Sequence, residues 1–102
     1  MFRRNRKPTA PGLILRSYYL DPRNLSINRF SKAAGLTRKH VSNIVNGHAG
    51  ITSDTAYRFS RVLGTTPQFW LNLQNAIDLY ETSQRLSSWR PAEVHPSEVA
   101  AQ

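Results

Sequence analysis

The chain has 102 residues and no cysteine, and its 14 Lys or Arg against 6 Asp or Glu give a net charge of +8. That length builds one domain with a single modest core, and without cysteine there is no disulfide framework, thiolate metal site or cysteine nucleophile. No apolar run approaches a membrane span, and the basic start FRRNRKPTAPG lacks the apolar stretch of a signal peptide, so the expectation is a cytoplasmic protein that is neither exported nor membrane-bound.

The charge is unevenly placed. Residues 1–50 hold ten Lys or Arg and one acid, Asp21, for +9, whereas residues 51–102 hold four Arg and five acids, for −1. A polarised positive surface is what a polyanion-binding face needs, because each neutralised phosphate releases condensed counterions.

Residues 1–10 carry Arg3, Arg4, Arg6 and Lys7 with no apolar periodicity. They read either as a flexible basic arm that reaches phosphates or a minor groove, or as a disordered tail. Pro11-Gly12 opens a first helix to about Leu20, with Pro22 expected to block its continuation. Leu13, Ile14, Leu15, Tyr18, Tyr19 and Leu20 make it apolar on more than one side, so part of its surface is a candidate to meet a partner.

Ser26 to Gly47, SINRFSKAAGLTRKHVSNIVNG, reads as a helix, a tight turn and a second helix. Ser26 caps the first, Ile27, Phe30, Ala33 and Ala34 form its inner face, and Gly35 stops it at positive φ. Thr37 caps the second helix, Val41, Ile44 and Val45 point inward, and Gly47 ends it. Small residues at Ser31, Ala34 and Gly35 suit two helices crossing steeply through a short turn. The outer face of the second helix then holds Arg38, Lys39, Ser42, Asn43 and Asn46, side chains that hydrogen-bond base edges or phosphates in a major groove. His40 lies on the same helix, where a phosphate contact or plain solvation is the expectation.

Thr52 caps a fourth helix, with Asp54 in its first turn and Ile51 as a hydrophobic staple. Ala56, Phe59, Val62 and Leu63 face inward, Arg58 and Arg61 outward, and Gly64 closes it. Thr66-Pro67 starts a fifth helix with an apolar stripe of Phe69, Trp70, Leu73, Ala76, Ile77 and Tyr80. Leu71 and Leu79 lie off that stripe, which favours a twofold homodimer. From Ser87 two prolines and no helical period mark an irregular tail, in which Trp89 is expected to dock on the body or on a partner. The organisation is thus all-α, with a basic arm over 1–10, a five-helix domain over 11–86 and a tail over 87–102.

The chain resembles the HigA family of antitoxins, within the phage-repressor-like helix-turn-helix proteins. The matching residues are Pro11-Gly12 with Ile14-Leu15-Arg16, Ala33 to Leu36, Val41 to Gly47, Gly50-Ile51-Thr52 with Thr55-Ala56, Gly64 to Pro67, and above all Phe69-Trp70-Leu71-Asn72-Leu73-Gln74. The resemblance implies a repressor-like domain that dimerises, binds inverted repeats of double-stranded operator DNA in its own promoter, and captures a small HigB-type toxin of the RelE-like, mRNA-cleaving class. It implies base-facing roles for Arg38, Lys39, Ser42 and Asn43, and backbone contacts from Thr37 and Asn46. The chain departs from the family pattern at Ile27, where a DNA-anchoring glutamine is frequent, at Arg29, which replaces a capping-box glutamate, and in a first helix without acids.

Rival readings are a transcription factor with no toxin partner, an RNA-binding module and an enzyme. The second lacks a GXXG loop or paired aromatics on a sheet. For the third, His40, His48 and His95 stand apart with no ligand at i, i+4, and there is no nucleophile elbow or phosphate-cradling loop. No catalysis, metal or cofactor is expected.

Overall fold

The computed structural model describes residues 6–98, so Arg3 and Arg4 of the basic arm lie outside the described residues. Helix α1 begins at Pro11–Ile14 and runs on through a wide π-type turn, Leu15–Leu20, and a 3-10 turn, Asp21–Arg23. Then come α2 (Ile27–Ala34), α3 (Arg38–Val45), α4 (Ser53–Leu63) and α5 (Pro67–Arg85), with no strand among the described residues. The all-α, five-helix expectation is met.

Four helices start on a hydroxyl that accepts a backbone N–H three residues on. Ser26 Oγ takes that of Arg29 at 3.0 Å, Thr37 Oγ1 that of His40 at 3.0 Å, Thr52 Oγ1 that of Thr55 at 3.3 Å, and Thr66 Oγ1 that of Phe69 at 3.1 Å. Each cap satisfies a donor that the helix itself leaves free, worth about 1 kcal/mol. At the end of α2, Gly35 adopts φ 70°, and the Leu36 N–H reaches back to the Ser31 carbonyl at 2.9 Å. This Schellman closure turns Leu36 toward the core. α3 ends differently: Asn46 closes it at φ −88°, and only the next residue, Gly47, goes left-handed at φ 81°.

Pro22 does not stop the first helix as expected. It sits early in the 3-10 turn, where its missing N–H breaks no bond, and the helical path ends at Asn24, φ 55°. The π-type turn explains the many-sided apolar pattern before it. The Asp21 N–H bonds to the Arg16 carbonyl five residues back, and this wider spacing brings Leu15 and Leu20 inward together. Leu13 and Tyr18 stay exposed.

Leu15, Phe30, Val41, Phe59 and Trp70 form the centre of the core. Phe59 meets Phe30 at 5.0 Å and Trp70 at 5.3 Å between ring centroids, edge to face. The buried Trp70 indole N–H donates to Thr65 Oγ1 at 2.7 Å, so no polar atom is stranded. Three packing expectations are corrected. Ala33 is exposed and Ser31 takes the inward position, since residue 33 lies six places after Ile27 and falls off the buried arc. Leu71 packs partly against the core, and Ala76 is exposed. For Trp89, expected on the body or on a partner, 61% exposure removes the first alternative and leaves the second. No helix among the described residues is long and apolar enough to cross a membrane.

Candidate nucleic-acid interface

α3 buries Val41 and Ile44 and turns its opposite side to solvent. At about 100° per residue, Arg38, Ser42, Asn46, Lys39 and Asn43 fall within ~140° of arc. Arg38, Lys39 and Asn46 are exposed, Ser42 and Asn43 half-buried. Thr37 is exposed at the start of the helix, and His40 is half-buried at the edge of the arc. The Asn46 amide Nδ2 donates to Ser42 Oγ at 3.4 Å, linking two polar positions one turn apart. Among the described residues neither Arg38 nor Lys39 is held in an ion pair. The arrangement presents two cations and three amide or hydroxyl groups from one short rigid rod.

Three residues set where that rod lies, and sequence reasoning gave none of them this role. Gly12 brings α1 onto the backbone of α3: a Cβ there would stand 1.9 Å from the Ile44 carbonyl oxygen and 2.9 Å from Val45 Cα. Only a residue without a side chain allows this approach. A glycine in the first turn of a helix, where it costs helical stability, was the available signal. Arg58 was expected to face outward. Its guanidinium Nη1 instead donates to the carbonyls of Ala34 at 3.0 Å and Gly35 at 3.2 Å, at the turn between α2 and α3. Its Nε pairs with Asp54 one turn earlier on α4. Gln74 of α5 holds the loop after α3: its Oε1 accepts the Ile51 N–H at 2.7 Å while its Nε2 donates to Asp78 at 3.0 Å. The same loop folds back through the Asn43 carbonyl, which accepts the His48 N–H at 2.7 Å and the Ala49 N–H at 3.2 Å.

Elsewhere the titratable groups do not converge. Among the described residues no three of His, Cys, Asp and Glu come together as a metal ion would need, and His95 pairs only with Glu93 in the tail. Of the basic arm, Lys7 lies 3.7 Å from Glu81 on α5.

Comparison with known proteins agrees with this geometry. Residues 15–70 match the helix-turn-helix family. The helix-turn-helix-type transcriptional regulator YbaQ of Escherichia coli K12 is 42% identical over 81 residues, 79% of this chain and 72% of its own length. Antitoxin HigA-1 of Vibrio cholerae is 36% identical over 85 residues, 83% of this chain and 80% of its own. The solved structure of the Pseudomonas aeruginosa antitoxin HigA with the higBA promoter superposes with a TM-score of 0.80 at 31% identity, covering 88% of this chain and 98% of that one. The chain belongs to the HigA antitoxin family of helix-turn-helix proteins.

Proposed function

We propose that this chain is the antitoxin of a type II toxin–antitoxin module, binding operator DNA as a homodimer, repressing its own operon and neutralising a small HigB/RelE-like, mRNA-cleaving toxin. The observation that carries the reading is the solvent-facing, cation-bearing outer face of α3, held by Gly12 and Arg58 against the rest of the fold. The P. aeruginosa relative solved with its promoter supports it. Two recognition helices about 34 Å apart would enter successive turns of one face of the duplex. Arg38 reads guanine O6 and N7 or grips a phosphate, Asn43 reads adenine or a neighbouring polar edge, Lys39 and Ser42 flank them, and Thr37, His40 and Asn46 touch the backbone. Repression then follows from promoter occlusion, and neutralisation from covering the toxin's RNA-cleaving surface.

The test is footprinting of the purified protein on DNA upstream of its gene across a salt series. Protection that weakens linearly in log salt is expected, and no protection at any modest ionic strength would end the reading. Arg38→Ala should cost roughly 1–3 kcal/mol of operator binding and relax specificity at one position. A uniform loss over all sequences would mark Arg38 as a phosphate contact instead. A regulator without a toxin is the second reading, favoured by the similarity to YbaQ. A short basic gene abutting this one, whose product co-purifies with the chain, decides for the antitoxin.

A further inference from the structure

α3 is held in three places, and the tie at its C-terminal end differs from the other two. Gly12 sets α1 against its last turn, and Arg58 bridges the turn before it. The loop after α3 is fastened at both ends. Its first part closes on α3 itself, where the Asn43 carbonyl accepts the N–H groups of His48 and Ala49. Its last part closes on α5, where Gln74 Oε1 accepts the Ile51 N–H at 2.7 Å. Gly50 lies against the same amide: a Cβ there would stand 3.1 Å from Gln74 Oε1 and 3.2 Å from its Cδ and Nε2. Beside this contact a cleft of about 250 Å³ lies between residues 47–50 and Gln74, Ile77 and Glu81 of α5. The end of the recognition helix is therefore joined to α5 through one side-chain amide.

A glutamine amide can present either end to a neighbour. Here both neighbours demand the same orientation, because a backbone N–H only donates and an ionised carboxylate only accepts. Oxygen must face Ile51 and nitrogen must face Asp78, and the two bonds stand at 2.7 and 3.0 Å. Turned the other way, the amide would set donor against donor at Ile51. A donor on a residue only 6% exposed would then go unmatched. Asp78 sits one turn along the same helix as Gln74 and is itself exposed, so its effect on the loop passes through Gln74.

We infer that Asp78 and Gln74 are positioning residues for operator binding. Asp78 fixes which way the Gln74 amide points, and Gln74 holds the loop whose other end closes on Asn43, the residue proposed above to read a base edge. This rests on operator binding as proposed and adds a pair on α5 that governs it. The test exchanges donor and acceptor. Gln74→Glu keeps an oxygen for Ile51 but leaves two carboxylates facing each other at i, i+4 with no donor between them. Operator affinity should fall about fivefold, the worth of one ordering hydrogen bond. Adding Asp78→Asn supplies a donor to the introduced carboxylate and returns the net charge to that of the parent, so affinity should recover at every salt concentration. Gln74→Met removes both bonds without adding charge and should weaken binding as Gln74→Glu does. Amide exchange at Ile51 should quicken in both single variants and slow again in the double one. Gln74→Met as tight on operator as the parent overturns the inference, as does a double variant that recovers nothing. A loss of affinity that disappears once urea unfolding has corrected for the folded fraction also overturns it, because the pair then serves stability alone. In each of these cases operator binding by the parent stands. A parent that protects no operator DNA overturns both readings.

Discussion

Phe59 and Trp70 of α4 and α5 meet edge to face with Phe30 and Phe69 around them, whereas α1 and α3 touch backbone to backbone, with Gly12 against Ile44 and Val45. Aromatic side chains fill volume and can shift rotamer by small amounts when a neighbour changes. A main-chain contact has no rotamer to adjust. The difference separates two tasks within one small domain. The α4–α5 half supplies two of the three fully buried aromatic rings, Phe59 and Trp70, while the α1–α3 half fixes the position of the helix that carries Arg38 and Lys39. The charge follows the same division, +9 over residues 1–50 and −1 over residues 51–102.

The largest effect that would break this contrast is expected at Trp70. Trp70→Ala removes a fully buried ring and the partner of Thr65 and should cost about 3–5 kcal/mol in urea unfolding. The fraction still folded should bind operator almost normally, because the ring partners of the indole, Tyr19, Phe59 and Phe69, all lie outside α3. Gly12→Ala should cost somewhat less, about 3 kcal/mol, as the new methyl forces α1 and α3 apart. Its operator affinity, measured under conditions where the protein remains folded, should fall further than the loss of stability accounts for. A Gly12→Ala protein as stable and as tight on DNA as the parent would show that the backbone contact yields freely, and the proposed division of labour would collapse.

The parts legible in the sequence were those written within three or four residues. Ser26, Thr37, Thr52 and Thr66 could be read as caps because a hydroxyl three residues before a free N–H needs no distant partner. The outer side of α3 was readable for the same reason, once Val41 and Ile44 defined its inner side. What escaped were the polar and close-backbone links between helices, whereas inward residues such as Phe30, Val41, Phe59 and Trp70 meet in the core as expected. Arg58 reaches back 24 residues to Ala34, and Gln74 reaches back 23 residues to Ile51. Nothing local to a polar residue on a helix says which distant carbonyl or amide it meets. Ala33 failed differently: alanine is apolar enough to suggest burial yet small enough to sit in water at little cost, so its side of α2 was decided by phase alone.

Arg58 gives the smallest of these effects and the sharpest test of how the turn before α3 is held. The carbonyls of Ala34 and Gly35 lie at the end of α2, where no later turn of the helix supplies a donor, and Arg58 bridges them from α4. Hydrogen bonds from a charged donor are stronger than neutral ones, but the Arg58 side chain is 40% exposed and water can replace it. Arg58→Ala should therefore cost only about 1 kcal/mol of global stability. Its local signature should be larger: amide exchange at Gly35, Leu36 and Thr37 should accelerate while that of the α5 core around Trp70 tracks the global change. Arg58→Met keeps the aliphatic stem and removes only the donors, so it should reproduce the faster exchange with less loss of stability. If Arg58→Met leaves exchange at the turn unchanged, the two hydrogen bonds do not hold it, and the stem's packing against α2 is what matters.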